Sequence, residues 1–376
     1  YGDHRDLHLS LRRQRQMCIR DRYEIHASSG ARMVPFAGWE MPIQYSSIIN
    51  ECNAVRNKAG IFDVSHMGRF MITGKDASLA LDKILSVDPS LIEIGQGKYN
   101  LICDTNGGVI DDCIVYKMSD TKFLLIPNAS NAESVNEWLN INTVGLEYQT
   151  EVITSKSTMI ALQGPESGNI LSSTMPEIGK IKRFRFIEHT LKSTNMIICR
   201  TGYTGEDGYE IILDNSIAVE FWDLLKTNGA SECGLGARDV LRLEAALPLH
   251  GNEITKETNP FEAKLGMFVQ LNRKNYIVND VLTKIKSNEQ NKKLIGFEIQ
   301  GRNIARSHNT ILDASDNVIG EVTSGSFSPT LNKSIGLAYV KKGFTDPDSE
   351  VKINIRSKNI IAKIIKTPFY KRSKNV

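Results

Sequence analysis

The sequence contains no long hydrophobic run, and its cysteines are few and scattered. No apolar stretch approaches the roughly 18 residues that suggest a membrane span, so we expect no membrane partner. The six cysteines form no Cys-x-x-Cys pair and have no paired histidines to accompany them. This pattern is typical of a protein in a reducing compartment without structural disulfides, and it predicts no metal site.

The main body of the chain also lacks net charge. The 376 residues carry a formal charge of +3 at pH 7, but residues 1–22 alone hold six Arg, no Lys and three Asp. The rest of the chain is therefore balanced, with 40 basic and 40 acidic residues. A neutral body offers no electrostatic reason to bind nucleic acid, and we predict no such partner.

Residues 1–22 look foreign to the body, in which Lys outnumbers Arg 27 to 13. They contain no apolar segment of the kind that secretory signals have. An Arg-rich start is typical of a mitochondrial presequence, but Asp3, Asp6 and Asp21 argue against one. We interpret 1–22 as an extraneous or disordered leader and expect a bacterial cytoplasmic location, with the mitochondrial matrix as the alternative.

The glycines match neither the dinucleotide-binding nor the P-loop pattern. Three of them instead recur at spacing three in Gly202–Glu210, which predicts a tight turn before the apolar run Ile211–Leu213. We therefore expect Glu210 where the turn becomes a strand, at the rim of a core, and Tyr203 on the turn itself. A carboxylate in such a place can bind a flat N–C–N edge through two hydrogen bonds, as it binds a guanidinium.

The chain changes character near residue 282. Before it, periodicity predicts helices and strands, among them Ser47–Ala59, Phe70–Thr73, Asp76–Leu85 and Ala218–Lys226. The polar, Lys-rich segment 283–293 is typical of a linker. Short alternating apolar runs after it predict a small all-β sandwich or barrel over 294–370, followed by a tail at 371–376.

Asn106-Gly107 lies between two apolar runs, which is a strong signal for a hairpin with a two-residue turn. That turn would pair Cys103 with Ile110, Leu101 with Asp112 and Tyr99 with Ile114. Asp112 then shares a face with apolar residues. Asp111 would lie on the other face, among polar ones.

A lone carboxylate on an apolar face costs several kcal/mol unless it is paired, neutralised or serving a ligand. Asp112 is therefore either a buried structural ion-pair partner or a functional group. A register slip of one residue would exchange the two aspartates.

Two further residues are candidates for a functional role. Arg238 follows a glycine-rich helix entry, where a cation opposes the helix dipole; it is either a solvated or paired arginine, or a ligand for a carboxylate or polar heterocycle. His66 stands beside Met67 with no nucleophile pattern near it, so we interpret it as a core residue.

Several long segments, in order, resemble the aminomethyltransferase (T-protein) family of the glycine cleavage system. The resemblance runs from about Tyr23 to Tyr370 and is carried by these segments: Met33–Tyr45, Ile61–Gly68, Gly107–Asp112, Tyr203–Glu210, Gly236–Ala245 and Thr323–Pro329. It implies an α+β fold of three domains in a cloverleaf around a central folate channel. Two α+β domains would occupy 23–282, and the third would be the barrel.

The resemblance also implies a function and a site. The one-carbon unit of an aminomethyl group on the dihydrolipoyl arm of H-protein would pass to tetrahydrofolate, with release of ammonia. Asp112 would be the catalytic residue. The folate-binding residues would be Met67, Tyr99, Asp112, Ile114, Tyr203, Glu210, Arg238 and Tyr370. His250 stands where the family more often has Tyr.

Two other functions stay open on sequence grounds. A folate-dependent demethylase would share the fold and the folate site, and would differ in residues on the substrate side. A non-catalytic folate-binding module would be expected to lack the full segments around Asp112 and Arg238. A flavin-fused dehydrogenase is excluded because the chain has no room for a separate dinucleotide-binding domain.

Overall fold

The computed structural model describes residues 22–372. Most of the predicted leader, residues 1–21, and most of the predicted tail, residues 373–376, lie outside the described residues. Arg22, which we had assigned to the leader, lies in a helix over residues 22–28, and its Nε is 3.0 Å from Asp63 Oδ2. Arg22 is therefore part of the folded body.

The α-helices agree closely with the sequence pattern where it predicted them. Ser47 caps the second helix by accepting a hydrogen bond from Asn50 N at 3.2 Å, and Asp214 caps the sixth by accepting from Ser216 N at 2.9 Å. The helices are α1 (22–28), α2 (Ile48–Asn57), α3 (Ala77–Ile84), α4 (Ala132–Asn142), α5 (Ser167–Ser172), α6 (Asn215–Thr227), α7 (Leu235–Glu244) and α8 (Asn279–Ser287).

Nineteen strands are found between residues 22 and 372. They are β1 (Arg32–Phe36), β2 (Trp39–Gln44), β3 (Gly60–Asp63), β4 (Phe70–Thr73), β5 (Gln96–Cys103), β6 (Val109–Ser119), β7 (Lys122–Pro127), β8 (Gln149–Val152), β9 (Ser157–Gln163), β10 (Phe186–Leu191), β11 (Thr194–Cys199), β12 (Gly208–Asp214), β13 (Ser231–Glu232), β14 (Lys292–Ile299), β15 (Thr310–Leu312), β16 (Val318–Ser328), β17 (Lys333–Lys341), β18 (Glu350–Ile355) and β19 (Lys358–Ile365).

The chain divides into two compact units. Among the described residues, unit 1 comprises 22–67, Ile153–Gly202 and Glu206–Asp239, and unit 2 comprises Gly68–Val152, Tyr203–Gly205 and the chain from Val240 onward. Within residues 22–372 no helix is long and apolar enough to cross a membrane.

Unit 1 is built on a six-stranded sheet with the order β10-β11-β12-β9-β3-β13. Its core is apolar and includes Ile160, Leu162 and Ile211 from the sheet and Phe221 and Trp222 from α6. The neighbouring strands β3, β9 and β12 are antiparallel, and β12 carries Glu210 in this sheet.

Unit 2 contains a five-stranded sheet and a barrel. The sheet has the order β5-β6-β7-β4-β8, and one of its faces packs with α3 and α4 through residues such as Ile102, Val115 and Leu139. Strands β14 to β19 form a closed barrel in the order β14-β17-β16-β15-β18-β19. This confirms the predicted α+β fold with an all-β C-terminal domain and selects the barrel over the sandwich.

The segment 283–293 is not an extended linker. Helix α8 continues to Ser287, and β14 begins at Lys292. The physical reason is a narrow apolar stripe: Leu282 is fully buried, and Ile285 packs against the same core. The lysines of this short amphipathic helix give the segment the composition of a linker.

Candidate functional site

The hairpin of β5 and β6 places Asp112 opposite Leu101 and Ile114 opposite Tyr99, as the sequence predicted. The turn itself differs, because Gly107 N bonds to Asp104 O at 2.9 Å and only Gly107 has a positive φ, of 85°. The loop is thus longer than two residues, and Cys103 pairs with Val109 instead of Ile110. An irregularity next to Cys103 restores the register before Asp112 is reached.

The carboxylate of Asp112 is held from two sides and is only partly exposed. Tyr99 Oη donates a hydrogen bond to Asp112 Oδ2 at 2.9 Å, and Asn128 Nδ2 donates to Asp112 Oδ1 at 2.8 Å. Tyr99 in turn packs edge-on against Phe268, with ring centroids 4.8 Å apart. The side chain of Asp112 is therefore fixed in one orientation.

Asp111 has polar neighbours, as predicted, and is the more deeply buried of the two aspartates. It is fully buried and accepts hydrogen bonds from Asn128 N at 2.9 Å, Asn128 Nδ2 at 2.8 Å and Asn131 Nδ2 at 2.6 Å. Asn128 thus bridges both carboxylates. Asp111 holds the amide of Asn128 with its donor side toward Asp112.

Burial raises the pKa of Asp112, and burial together with the neighbouring charge of Asp112 raises the pKa of Asp111. The hydrogen bonds from Tyr99 and Asn128 act in the opposite direction on Asp112 because they stabilise the carboxylate. The pKa of the Tyr99 hydroxyl is raised well above its usual value, first by burial and then by the charge of Asp112. Tyr99 therefore stays protonated and remains a donor.

Tyr99→Phe is expected to move the acid limb of the pH–activity profile to higher pH. The substitution removes a hydrogen bond that lowers the pKa of Asp112, so the carboxylate takes up its proton at a higher pH than in the wild type. A profile of kcat/KM from pH 5 to 9 measures the shift. An unchanged acid limb would contradict the assignment of that limb to Asp112.

The other residues of unit 2 that the sequence singled out are each held by a different hydrogen-bond partner. Tyr203 Oη donates to Pro248 O, and His250 Nε2 lies 3.2 Å from Val109 O, which precedes Asp112 by three residues. Tyr370 donates its backbone N–H to Glu244 O at 2.8 Å. His250 is also close enough for its charge to lower the pKa of Asp112.

In unit 1, Glu210 lies inside strand β12 and not at its start, because Gly208 and Tyr209 already pair with Gln163 and Leu162. The carboxylate is largely buried, and Thr201 Oγ1 donates to its Oε2 at 2.6 Å.

The turn before β12 packs against Gln163. A Cβ atom on Gly202 would lie 1.9 Å from Gln163 Oε1, so a larger residue there would displace the side-chain amide of Gln163.

Three further residues of unit 1 were singled out by the sequence, namely Met67, Arg238 and His66. Met67 is partly exposed and closes a turn by donating its backbone N–H to Val64 O at 3.0 Å. Arg238 lies in the first turn of α7 and is partly exposed. His66 is buried and meets Phe36 edge-on at 5.4 Å, in line with its interpretation as a core residue.

In the described part of the chain no group of three or more His, Cys, Asp or Glu side chains is arranged to hold a metal ion. The five cysteines in that part are all free and buried.

Comparison with known proteins shows which family the chain belongs to. Residues 22–273 match the family model described as "GCVT N-terminal domain", and residues 292–371 match "Glycine cleavage T-protein C-terminal barrel domain". The chain belongs to the glycine cleavage T-protein family.

Relatives and a solved structure of this family cover nearly the whole chain. An aminomethyltransferase of Bacillus cytotoxicus is 41% identical over 94% of this chain and 98% of its own length. One of Caldanaerobacter subterraneus subsp. tengcongensis is 42% identical over 93% and 95%. The crystal structure of the glycine cleavage system aminomethyltransferase T of Bartonella henselae matches with a TM-score of 0.87 and 32% identity, covering 93% of this chain and 97% of that one.

The chain is therefore a transferase, an aminomethyltransferase of the glycine cleavage system. Membership of the T-protein family implies tetrahydrofolate as a substrate. These findings favour the aminomethyltransferase over the demethylase and over the non-catalytic module that the sequence left open.

Sequence reasoning missed two residues that hold carboxylates of this T-protein family member. Asn128 lies just past the end of β7, and Thr201 lies just past the end of β11. A polar residue within two positions of the end of an apolar strand was the available signal in both cases. Neither could be matched to its carboxylate without knowing which strands are neighbours.

Asp112→Asn is expected to stabilise the protein in the absence of its substrates. A carboxyl whose folded pKa is raised binds its proton more tightly when folded, so it lowers stability as the pH rises above about 3.9, the unfolded value. Asparagine removes this loss, and Tyr99 can accept from the new amide. Thermal melts at pH 3 and 8 should show a midpoint gain at pH 8 of about 2–4 °C, on the order of 1 kcal/mol, and little gain at about pH 3, below the unfolded pKa. A lower midpoint for the variant at pH 8 would contradict this.

Proposed function

We propose that this protein transfers the one-carbon unit of aminomethyl-dihydrolipoyl H-protein to tetrahydrofolate, releasing ammonia and forming 5,10-methylenetetrahydrofolate. Family membership supports the reaction. The observation that carries the residue assignment is the geometry of Asp112, a partly exposed carboxylate fixed by Tyr99 and Asn128 at 2.9 and 2.8 Å, whose pKa is raised by burial.

The residues present fit a folate. Oε2 of Glu210 is occupied by Thr201, whereas Oε1 has no hydrogen-bond partner between residues 22 and 372. A largely buried carboxylate with an available oxygen suits the N–C–N donor edge of a pterin ring. Tyr99 and Tyr203 add aromatic surface with polar ends, which suits a ligand that is flat and heterocyclic.

We assign the catalytic role to Asp112 and folate binding to the set that the resemblance implies. Glu210 binds the pterin, and Arg238 and Tyr370 bind other parts of the molecule. The complete set is Met67, Tyr99, Asp112, Ile114, Tyr203, Glu210, Arg238 and Tyr370. We retain the domain division into 23–282 and 294–370 as part of this proposal; the two family-model matches support it.

Tetrahydrofolate supplies the attacking nitrogen N5 and, through N10, the second bond to the transferred carbon. In the donor, the C–N and C–S bonds break, which yields ammonia and the dihydrolipoyl thiol. The ionised carboxylate of Asp112 faces the cationic character that develops at this carbon, or accepts the proton that the attacking amine loses. Both roles need the carboxylate form. Tyr99 and Asn128 favour that form and hold it in place.

We propose lipoylated H-protein as the partner and the bacterial cytoplasm as the location. The relation to bacterial aminomethyltransferases supports both. No serine or cysteine nucleophile is required, because the nucleophile belongs to the folate.

The test mixes the full chain with tetrahydrofolate and aminomethylated H-protein and follows ammonia and methylenetetrahydrofolate together. We expect both products in equal amounts. Folate binding without either product would contradict the proposal, and turnover of small methylated sulfonium or amine compounds would then support the demethylase.

A further inference from the structure

A buried polar cluster joins the segment Thr323–Pro329, which the proposed reaction leaves without a role, to Arg242 of the segment Gly236–Ala245. We define the Glu253 cluster as Arg242, Glu253, Thr323 and Ser324. Arg242 is 1% exposed and Glu253 is fully buried, and their Nη1 and Oε2 atoms are 2.7 Å apart. All four residues belong to unit 2.

The barrel supplies two hydroxyls to this ion pair. Thr323 Oγ1 donates to Glu253 Oε1 at 2.5 Å, and Ser324 Oγ accepts from Arg242 Nη2 at 2.8 Å. Both come from β16. A third barrel contact comes from β17, where Tyr339 Oη donates to Glu253 O at 2.7 Å. The ion pair is therefore tied to the barrel by side chains that match its donors and acceptors.

The same ion pair shapes the loop 247–254. Glu253 Oε2 accepts from Leu249 N at 3.0 Å, and Arg242 Nη1 donates to Leu247 O at 3.3 Å. The loop closes with a hydrogen bond from Gly251 N to Ile254 O at 2.8 Å. Because the Leu249 and Leu247 backbone groups are hydrogen-bonded to a buried ion pair, a change in the ion pair changes how the loop is held.

The loop in turn carries two groups next to the proposed folate residues. Pro248 O accepts the hydroxyl of Tyr203, and His250 Nε2 lies 3.2 Å from Val109 O at the base of the strand that carries Asp112. A continuous path of hydrogen bonds thus runs from the barrel, through Glu253, to Tyr203.

We propose that the barrel positions the folate-binding residue Tyr203 through the Glu253 cluster, so that Thr323 and Ser324 act as positioning residues for tetrahydrofolate without touching it. This inference rests on the proposed function, because it takes Tyr203 as a folate residue. It gives the segment Thr323–Pro329 a role in the binding of tetrahydrofolate.

The test uses hydroxyl substitutions that leave both buried charges in place. Thr323→Val is expected to raise the Kd for tetrahydrofolate about five- to tenfold, part of the effect of one hydrogen bond to a charged group, while kcat at saturating folate changes less than about twofold. Thr323→Ser keeps the hydroxyl and should behave as the wild type. Ser334→Ala is the matched control, because this buried barrel hydroxyl has no hydrogen-bond partner among residues 22–372.

A double-mutant cycle separates positioning from general loss of stability. Tyr203→Phe removes the bond to Pro248, so its effect on Kd and that of Thr323→Val should not multiply in the double variant. Hydrogen exchange at the Leu249 and Gly251 amides should be faster in Thr323→Val and unchanged in Ser334→Ala. If Thr323→Val does not fold, Ser324→Ala takes its place with the same expectations.

An unchanged Kd in a folded Thr323→Val protein, or effects that multiply in the double variant, would overturn the inference. Failure of the wild type to bind tetrahydrofolate would instead contradict the proposed function itself. The two failures are therefore distinguishable.

Discussion

Asp112→Asn is expected to lower turnover by on the order of 10²-fold or more, while the Kd for tetrahydrofolate changes only a few-fold. The substitution keeps the shape of the side chain and both neighbours, since Tyr99 and Asn128 can each bond to an amide. It removes the negative charge that faces the transferred carbon, and with it the proton acceptor. Only interactions made in the transition state are lost, so kcat carries the effect.

Single-turnover formation of methylenetetrahydrofolate at saturating H-protein measures this loss, and binding of tetrahydrofolate is measured separately. Asp120→Asn is a suitable control, because Asp120 follows the same strand but its side chain is 80% exposed and pairs with Lys117. Turnover by Asp112→Asn within tenfold of the wild type would contradict the catalytic role.

Glu210→Gln is expected to raise the Kd for tetrahydrofolate by about 10²-fold, roughly 2.7 kcal/mol. In the wild type, Thr201 occupies one oxygen and the other is available to the ligand. In the variant, Thr201 would take the single amide oxygen, and the amide N–H₂ would face the donors of the pterin edge. The ligand then loses a charged acceptor and meets a donor in its place.

Titration of the purified variant with tetrahydrofolate, followed by calorimetry, measures this effect. Glu188→Gln serves as the control, because Glu188 lies on β10 of the same sheet and is exposed. A Kd for Glu210→Gln within threefold of the wild type would remove Glu210 from the folate-binding set.

The position of Asp112 could be predicted because a hairpin is local. Its register depends on the turn and on alternation along two adjoining strands, both of which are visible in the sequence. The turn type was wrong, yet the pairing of Leu101 with Asp112 was right, since the longer loop and the irregularity beside Cys103 compensate each other. The predicted pairing of Asp112 was therefore right although the predicted two-residue turn was wrong.

The partners of the carboxylates could not be predicted. Asn128 is separated from Asp112 by the rest of β6 and by β7, and it reaches Asp112 only because β6 and β7 are neighbours in the sheet. The Glu253 cluster joins residues about 80 positions apart, Arg242 and Ser324. Such contacts depend on tertiary packing, which the local pattern of polar and apolar residues does not encode.

The most direct test of the account is a crystal structure of the protein with tetrahydrofolate bound. The account predicts a carboxylate oxygen of Asp112 within about 2.6–3.2 Å of the folate nitrogen that takes up the carbon, or joined to it through one water, and Glu210 Oε1 bonded to the pterin ring. A folate bound without contact to Asp112 or Glu210 would contradict the central claim.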